Sequence, residues 1–298
     1  MADLLTDAHA LAHVRAALLA WYAADHRDFP WRRTTDPYAV LVSEVMLQQT
    51  QASRVAERFP AFMRHFPTAE ALASASEARV LAAWSGLGYN RRALALRRAA
   101  TEVIAHGWPR DVAALERLPG VGPYTARAVA SLAFAEPLGV VDTNVRRWLV
   151  RRFGLEPTAR PWDLQRLADA LATAGSRADA AAWTHATMEF GAGICSRTAH
   201  CNVCPISDGC PSRGVAAAMP VPRQPAFAGS DRERRGALLR ALSAAPHHVL
   251  SVAAVQAVVG HGWYPRIVAG LERDGLIHRS GGRLHLGGRP EPPATIGP

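Results

Sequence analysis

Two carboxylic acids, Glu44 and Asp142, occur in sequence contexts that suit acid catalysis and charge stabilisation. Glu44 interrupts the apolar stripe of a predicted helix at residues 39–59. An ordinary helix Glu is solvated or salt-bridged, but in an apolar pocket burial raises the pKa of the carboxyl and makes it a proton donor near neutral pH. Asp142 directly precedes another predicted helix, where it can cap the first turn and where the helix dipole favours its ionised form. The two residues could therefore supply a proton donor and a fixed anion.

The basic residues limit the covalent chemistry and indicate a partner. All 34 of them are Arg, so no Lys side chain is available to form a Schiff base with a carbonyl substrate. The formal net charge of +9 favours a polyanionic partner such as nucleic acid.

Four cysteines form a compact cluster with the spacing C-x5-C-x2-C-x5-C, and the rest of the chain has none. Crowding of this kind indicates a metal site, because disulfides are improbable in a reducing compartment. Close spacing and a Pro after the third cysteine favour a [4Fe–4S] cluster. Zinc is the alternative, although four-cysteine zinc sites usually separate two pairs more widely. The predicted ligands are Cys195, Cys201, Cys204 and Cys210.

A glycine-rich turn separates two predicted helices at residues 118–124, with the sequence LPGVGPY. Gly120 and Gly122 allow a tight turn whose N–H groups point outward at the start of the next helix, an arrangement that can hold a phosphate. Alone, such a turn is a plain connector about as often as a phosphate site. Here the sequence LGVVDTNV follows at residues 138–145 and includes Asp142, which makes the combination far more specific.

Helical periodicity dominates the first 220 residues and must position these side chains. The predicted helices span residues 10–22, 39–59, 69–84, 91–106, 111–118, 124–135, 143–153, 162–174 and 178–191. A Pro-rich stretch at 219–227 is typical of a linker. Helices at 231–244, 252–259 and 264–274 and a hairpin of strands 277–280 and 283–286 then predict a winged-helix-like module with a loose tail. We expect an all-α domain at 1–218, a linker at 219–230 and an α+β module at 231–298.

Together these motifs resemble the helix-hairpin-helix, Gly/Pro-rich-loop, Asp superfamily of DNA glycosylases, and within it the A/G-specific adenine glycosylases of the MutY type. The resemblance covers roughly residues 8–215. Its most specific stretch is LVSEVMLQQTQ at residues 41–51, supported by FPWR at 29–32, GLGY at 86–89 and MEFGA at 188–192. It implies a two-lobed glycosylase fold with an iron–sulfur loop at 195–210.

The resemblance also implies a role for each matching residue. Glu44 would protonate the departing adenine, Asp142 would stabilise the sugar cation, and Asn144 would orient that carboxylate. Relatives that nick the backbone carry a Lys where this chain has Tyr124, so the enzyme would be monofunctional, with Tyr124 placed near Asp142 and the sugar. Without the resemblance, Tyr124 would be a packing residue and Asn144 an unremarkable helix residue.

The substrate contacts follow from the same resemblance. Trp31 would stack on the extruded adenine while Arg32 and Glu189 hydrogen-bond its edge. The residues that would contact the duplex where the base leaves are Leu47, Gln48, Gln49 and Tyr89. The implied partner is double-stranded DNA containing mispaired adenine, bound by a monomer in the bacterial cytoplasm, nucleoid-associated through DNA. No signal peptide, membrane span or membrane partner is expected.

The chain departs from the family pattern at two places. The first cysteine gap is five residues where six is usual, and about seventy residues follow the linker, too few for the nucleotide-hydrolase-like domain that usually reads oxidised guanine.

A thymine-mismatch glycosylase of the same superfamily would share Tyr124 and Asp142, but the Gln48-Gln49 stretch and Glu189 argue against it. A non-catalytic DNA-binding protein would not need Glu44, Tyr124 and Asp142 together.

Overall fold

The structure, a computed structural model, describes residues 8–215 and 226–289. The α-helices are α1 (Ala8–Ala24), α2 (Pro37–Leu47), α3 (Ala52–His65), α4 (Ala69–Ser74), α5 (Glu77–Ala83), α6 (Arg91–His106), α7 (Val112–Glu116), α8 (Pro123–Phe134), α9 (Thr143–Arg152), α10 (Pro161–Thr173), α11 (Ala180–Gly193), α12 (Asp231–Ala244), α13 (Val252–Val259) and α14 (Tyr264–Arg273). The strands are β1 (Val249–Ser251), β2 (Ile277–Ser280) and β3 (Arg283–Leu286). The predicted helical first part and small α+β module are confirmed at this level. Residues 219–225 of the predicted linker and 290–298 of the tail lie outside the described residues.

The prediction of one helix over residues 39–59 is wrong, because the chain turns between α2 and α3. Gln49 adopts a left-handed backbone conformation with φ of 54°, which an uninterrupted helix cannot contain. The Arg92 guanidinium satisfies the carbonyls that the end of α2 leaves free: it donates to Val45 at 2.7 Å, to Met46 at 3.1 Å and to Gln48. An arginine distant in sequence thus stabilises a break that local periodicity does not reveal.

The predicted helix at 69–84 is also two helices, α4 and α5. Ala75 is extended, and the Ser76 side chain caps α5 by accepting from the Arg79 N–H at 3.3 Å. Arg97 donates to the Ala75 carbonyl at 2.7 Å and so satisfies the interrupted backbone. A serine cap inside an apolar pattern was the available signal for this boundary.

The described residues form two compact units, and each unit combines two separate stretches of the sequence. One contains residues 8–44 and 108–215, and the other contains 45–107 and 226–289. The first unit is built around α1, α9, α10 and α11, whose apolar faces share one core. Within it, Trp148 of α9 meets Phe190 of α11 edge to face at 5.9 Å. This packing fixes the two helices that carry Asn144 and Glu189.

The second unit combines α3–α6 with the C-terminal module. The module contains a three-stranded antiparallel sheet in the order β1-β3-β2, in which Leu250 pairs with Leu284 and Ile277 pairs with Leu286. The β2–β3 hairpin has the predicted bounds, and Gly281 and Gly282 both take positive φ in its two-residue turn. Strand β1 was not predicted, because three residues are too short to show an alternating pattern.

The module packs on α5 within this unit. The Gly288 N–H donates to a carboxylate oxygen of Glu77 at 2.7 Å, and Gly287 approaches the α5 backbone closely. None of the described helices is long and apolar enough to cross a membrane.

Candidate active site

The glycine-rich turn forms a helix hairpin in the first unit, between α7 and α8. Gly120 takes a φ of 80°, and Gly122 is the residue before the first turn of α8, followed by Pro123. A Cβ at Gly122 would meet nothing within 4 Å, so the N-terminus of α8 is open to an approaching anion. The turn lies between two helices as predicted, and its contact with a phosphate stays a prediction.

Glu44 is buried on α2, with 3% of its surface exposed. Burial raises the pKa of its carboxyl to about 7; the hydrogen bond with Tyr124 opposes this shift, and the nearby negative charge of Asp142 adds to it. One of its carboxyl oxygens, Oε2, is buried with no partner among the described residues. The side chain is thus close to half protonated at neutral pH and retains an unused polar atom.

Asp142 caps α9 and is held by three hydrogen bonds. Its Oδ1 accepts from the backbone N–H groups of Asn144 at 2.8 Å and Val145 at 2.6 Å, and its Oδ2 accepts from the Asn144 side-chain amide at 2.8 Å. Donors of this kind stabilise a carboxylate anion and fix its orientation. The predicted orienting contact between Asn144 and Asp142 is present as a direct hydrogen bond.

Tyr124, half-buried in the first turn of α8, is hydrogen-bonded to Glu44 and lies within the electrostatic influence of Asp142. Burial raises its pKa well above the ordinary value, and the charges of Glu44 and Asp142 raise it further. The phenol therefore stays protonated and acts as a hydrogen-bond donor. Its hydroxyl also lies 3.7 Å from the Met188 sulfur, beside Glu189 on α11.

Glu189 is buried and paired with two guanidinium groups. Arg32 donates to its Oε2 at 2.7 Å, while Arg27 donates to Oε1 at 2.5 Å and to Oε2 at 2.9 Å. Burial alone would raise the pKa of Glu189, but these hydrogen bonds outweigh it and the pKa lies below its ordinary value. Arg27 was missed in the sequence because it lies outside the matching FPWR stretch.

Trp31 lies in a packed aromatic stack rather than on an open surface. Its ring is 5% exposed and is stacked on Phe29 with centroids 4.7 Å apart. The Arg32 guanidinium lies 5.0 Å from the Phe29 ring centre, and its Nε is buried with no partner among the described residues. The structure thus brings Trp31, Arg32 and Glu189 into one region, where Phe29 joins the first two.

A close approach between α9 and α11 requires glycine. A Cβ at Gly191 would lie 2.7 Å from the carbonyl oxygen of Asn144. Across the same contact, Arg147 donates to the Asn144 side-chain oxygen at 2.8 Å and to the Cys195 carbonyl at 2.8 Å. Asp142 is therefore connected through Asn144 and Arg147 to the start of the cysteine loop. The i, i+3 spacing from Asn144 was the signal that could have indicated Arg147.

The four predicted ligands line one cavity: Cys195, Cys201, Cys204 and Cys210. Arg151 reaches this cavity and donates to the Ser196 carbonyl at 2.6 Å, with the same nitrogen 3.7 Å from the Cys195 sulfur. In the part of the chain that the structure describes, no three His, Cys, Asp or Glu side chains are grouped closely enough to hold a single metal ion.

The remaining predicted substrate residues belong to the second unit. Leu47 ends α2, and Gln48 and Gln49 form the turn that follows it. Tyr89 is exposed and, like Gln49, takes a positive φ. Both are presented by backbone conformations that bulky residues rarely adopt, a kind of strain that clusters at functional sites.

The geometry of the first unit can perform acid-assisted cleavage. Glu44 can deliver a proton near neutral pH, Asp142 can stabilise a developing cation, and Tyr124 is hydrogen-bonded to Glu44. The site offers no lysine amine, so imine formation with a side chain is excluded.

Comparisons with known proteins show the family of the chain. Residues 42–172 match the HhH-GPD superfamily of base excision DNA repair proteins. The chain is 44% identical to the adenine DNA glycosylase of Mycobacterium tuberculosis (strain CDC 1551 / Oshkosh) over 247 residues, covering 76% of this chain and 78% of the relative.

Two solved structures have a similar fold. A thermostable thymine-DNA glycosylase is 30% identical with a TM-score of 0.63, covering 70% of this chain and 99% of that one. A trapped endonuclease III–DNA covalent intermediate, 23% identical with a TM-score of 0.55 and covering 67% of this chain and 93% of that one, shares the fold. The chain therefore belongs to the adenine DNA glycosylases of the HhH-GPD superfamily, and it is a DNA glycosylase of base excision repair.

Proposed function

We propose that this glycosylase hydrolyses the N-glycosidic bond of adenine mispaired with 8-oxoguanine or guanine, without cutting the DNA backbone. The observation that carries the proposal is the buried Glu44, whose pKa of about 7 leaves a proton available beside Asp142. Adenine is a poor leaving group as an anion, so protonation of a ring nitrogen should speed its departure. The resemblance implies a monomer that acts on DNA in the bacterial cytoplasm.

The chain's own residues suffice for the steps. The target nucleotide flips out of the duplex, because its glycosidic bond is inaccessible within the stack. Glu44 protonates the adenine, the bond between base and sugar breaks with its electron pair leaving on the base, and Asp142 stabilises the cationic sugar. Water then adds to the sugar and gives up one proton, which restores the protonated Glu44 and leaves an abasic site. Arg32 and Glu189 would select the adenine edge, with Trp31 as the aromatic wall.

We propose that Cys195, Cys201, Cys204 and Cys210 hold a [4Fe–4S] cluster. Support comes from the shared cavity that the four thiols line and from the Arg151 guanidinium beside it, which suits an anionic cluster. The cluster, when bound, supplies a structural cross-link for the loop at 195–210. Arg147 joins the start of this loop to Asn144, because it donates to the Cys195 carbonyl and to the Asn144 side chain.

Single-turnover excision on a panel of duplexes tests the proposed substrate. We expect fastest release from adenine opposite 8-oxoguanine, slower release opposite guanine, and little from thymine opposite guanine or adenine opposite thymine. The abasic strand should remain intact until alkali is added, and borohydride should trap little protein on DNA. Equal excision of thymine, or efficient trapping when the α-amino group is blocked, would contradict the proposal.

A further inference from the structure

The second unit contains a cleft of about 870 Å³ whose lining includes three predicted duplex contacts, Gln48, Gln49 and Tyr89. One wall is formed by the turn after α2, at residues 48–51, and by residues 85–92 before and at the start of α6. The other wall is formed by the C-terminal module, chiefly α12 with Phe227 and residues 274–276. The cleft thus exists only because the module packs within this unit.

Arginines dominate the charge of the cleft. Six line it, three from each wall, against a single acidic side chain among the described lining residues, Asp274. Asp274 is already paired with Arg235 and, at 3.8 Å, with Arg91, and Arg92 is used at the end of α2. The exposed arginines are Arg54, Arg91, Arg232 and Arg240. A concave surface with this charge concentrates a polyanion.

The cleft also presents aromatic side chains to solvent. Tyr89 is 47% exposed and Phe227 is 57% exposed, one at each wall. The Arg92 guanidinium lies 5.4 Å from the Tyr89 ring centre and holds the strained turn. Exposed rings beside arginines are the combination that binds nucleic-acid strands, because bases stack on the rings while phosphates pair with the guanidinium groups. An acidic protein segment would use the charge but leave the rings unused.

We propose that this cleft binds the backbone of one DNA strand, with α12 of the C-terminal module supplying phosphate contacts. The inference rests on the proposed function only in taking DNA as the ligand. Contacts to phosphate carry no information about base identity. The module therefore adds affinity to any duplex, and it leaves the preference between 8-oxoguanine and guanine opposite the adenine unchanged.

The test removes one exposed arginine from each wall of the full-length protein, as Arg54→Ala with Arg240→Ala. The measurement is the dissociation constant at several salt concentrations, for an undamaged duplex and for duplexes with adenine opposite 8-oxoguanine or guanine. Each lost phosphate contact should lower the slope of log K against log salt by about 0.9, so the pair should lower it by about 1.8. We expect binding to weaken on the order of tenfold or more at low salt, equally for both opposite bases.

The matched control removes two exposed arginines of the same unit that do not line the cleft, as Arg98→Ala with Arg283→Ala. The net charge change is identical in the two variants. The slope of log K against log salt should therefore fall by about 1.8 in the cleft variant and by less in the control. Adenine release from saturated complexes should be unchanged in both. Equal effects of the two pairs of substitutions on duplex binding would overturn the proposal. It would also be overturned if the cleft variant bound duplex DNA normally but no longer bound a poly-glutamate probe. If the wild type binds as expected but releases no adenine, the proposed activity fails and the cleft assignment stands.

Discussion

At the scale of single residues, the buried carboxyl of Glu44 lowers the free energy of unfolding at neutral pH. Its pKa of about 7 in the fold exceeds its ordinary value of 4.5, so the folded protein holds this proton more tightly than the unfolded chain. The folded state therefore loses stability as the pH rises from about 4.5 to about 7, by roughly 3 kcal/mol, and no further above that range.

Glu44→Gln should recover this stability. The amide is neutral at every pH, so the variant should match the wild type near pH 4 to 5 and exceed it in free energy of unfolding at pH 8. Denaturant titrations at the two pH values measure the difference. A variant less stable than the wild type at pH 8 would show that the buried charge is not a cost to the fold.

The same pKa predicts the pH dependence of excision. The acid must be protonated, so the single-turnover rate should be half-maximal near pH 7 and fall about tenfold per unit above pH 8. Rates measured from pH 6 to 9 with saturating enzyme separate this effect from DNA affinity. A rate that rises over this range would mean that Glu44 acts as a base or not at all.

At the scale of elements, the hairpin and the cap of α9 could be predicted from sequence because both use local signals. Gly120 takes the positive φ of its own turn, and Asp142 accepts from the N–H groups of Asn144 and Val145 directly after it. The divisions between α2 and α3 and between α4 and α5 could not be read as easily, because Arg92 and Arg97 stabilise them from a distant helix. Likewise, Arg27 joins Glu189 across 162 positions in the sequence.

The approach of α9 to α11 gives a prediction with a control on the same helix. Gly191→Ala should improve helix propensity but place a Cβ 2.7 Å from the Asn144 carbonyl oxygen, which must move and disturb Asp142. We expect excision to fall on the order of 100-fold, because small misplacements of reacting groups are costly. Gly193→Ala meets nothing within 4 Å and should behave like the wild type. Indistinguishable variants would contradict this role of Gly191.

At the scale of the whole molecule, the composition predicted the class of ligand, but the sequence did not predict how the chain divides into compact units. The charge of +9 and the absence of lysine indicated a nucleic-acid partner and excluded a side-chain Schiff base. The two compact units interleave along the chain, which no local pattern reveals, since each takes in two separate stretches of sequence. The linear division into residues 1–218, 219–230 and 231–298 stays a prediction.

Metal content is a property of the whole folded protein. Purified without oxygen, it should be brown and contain about four irons per chain. Cys204→Ser should reduce iron and thermal stability, and lower DNA binding more than the excision rate of saturated complexes. Stoichiometric zinc without iron in protein from its native source would contradict the cluster.

The proposed mechanism depends on Glu44 as the donor of the proton that releases adenine. Its most direct test compares wild type and Glu44→Gln on a duplex with adenine opposite 8-oxoguanine, measuring affinity and single-turnover release together. The amide preserves size, so affinity should stay within a few-fold. Release should fall by several orders of magnitude, because the acid contributes mainly in the transition state. Near-normal release by Glu44→Gln would show that another group supplies the proton.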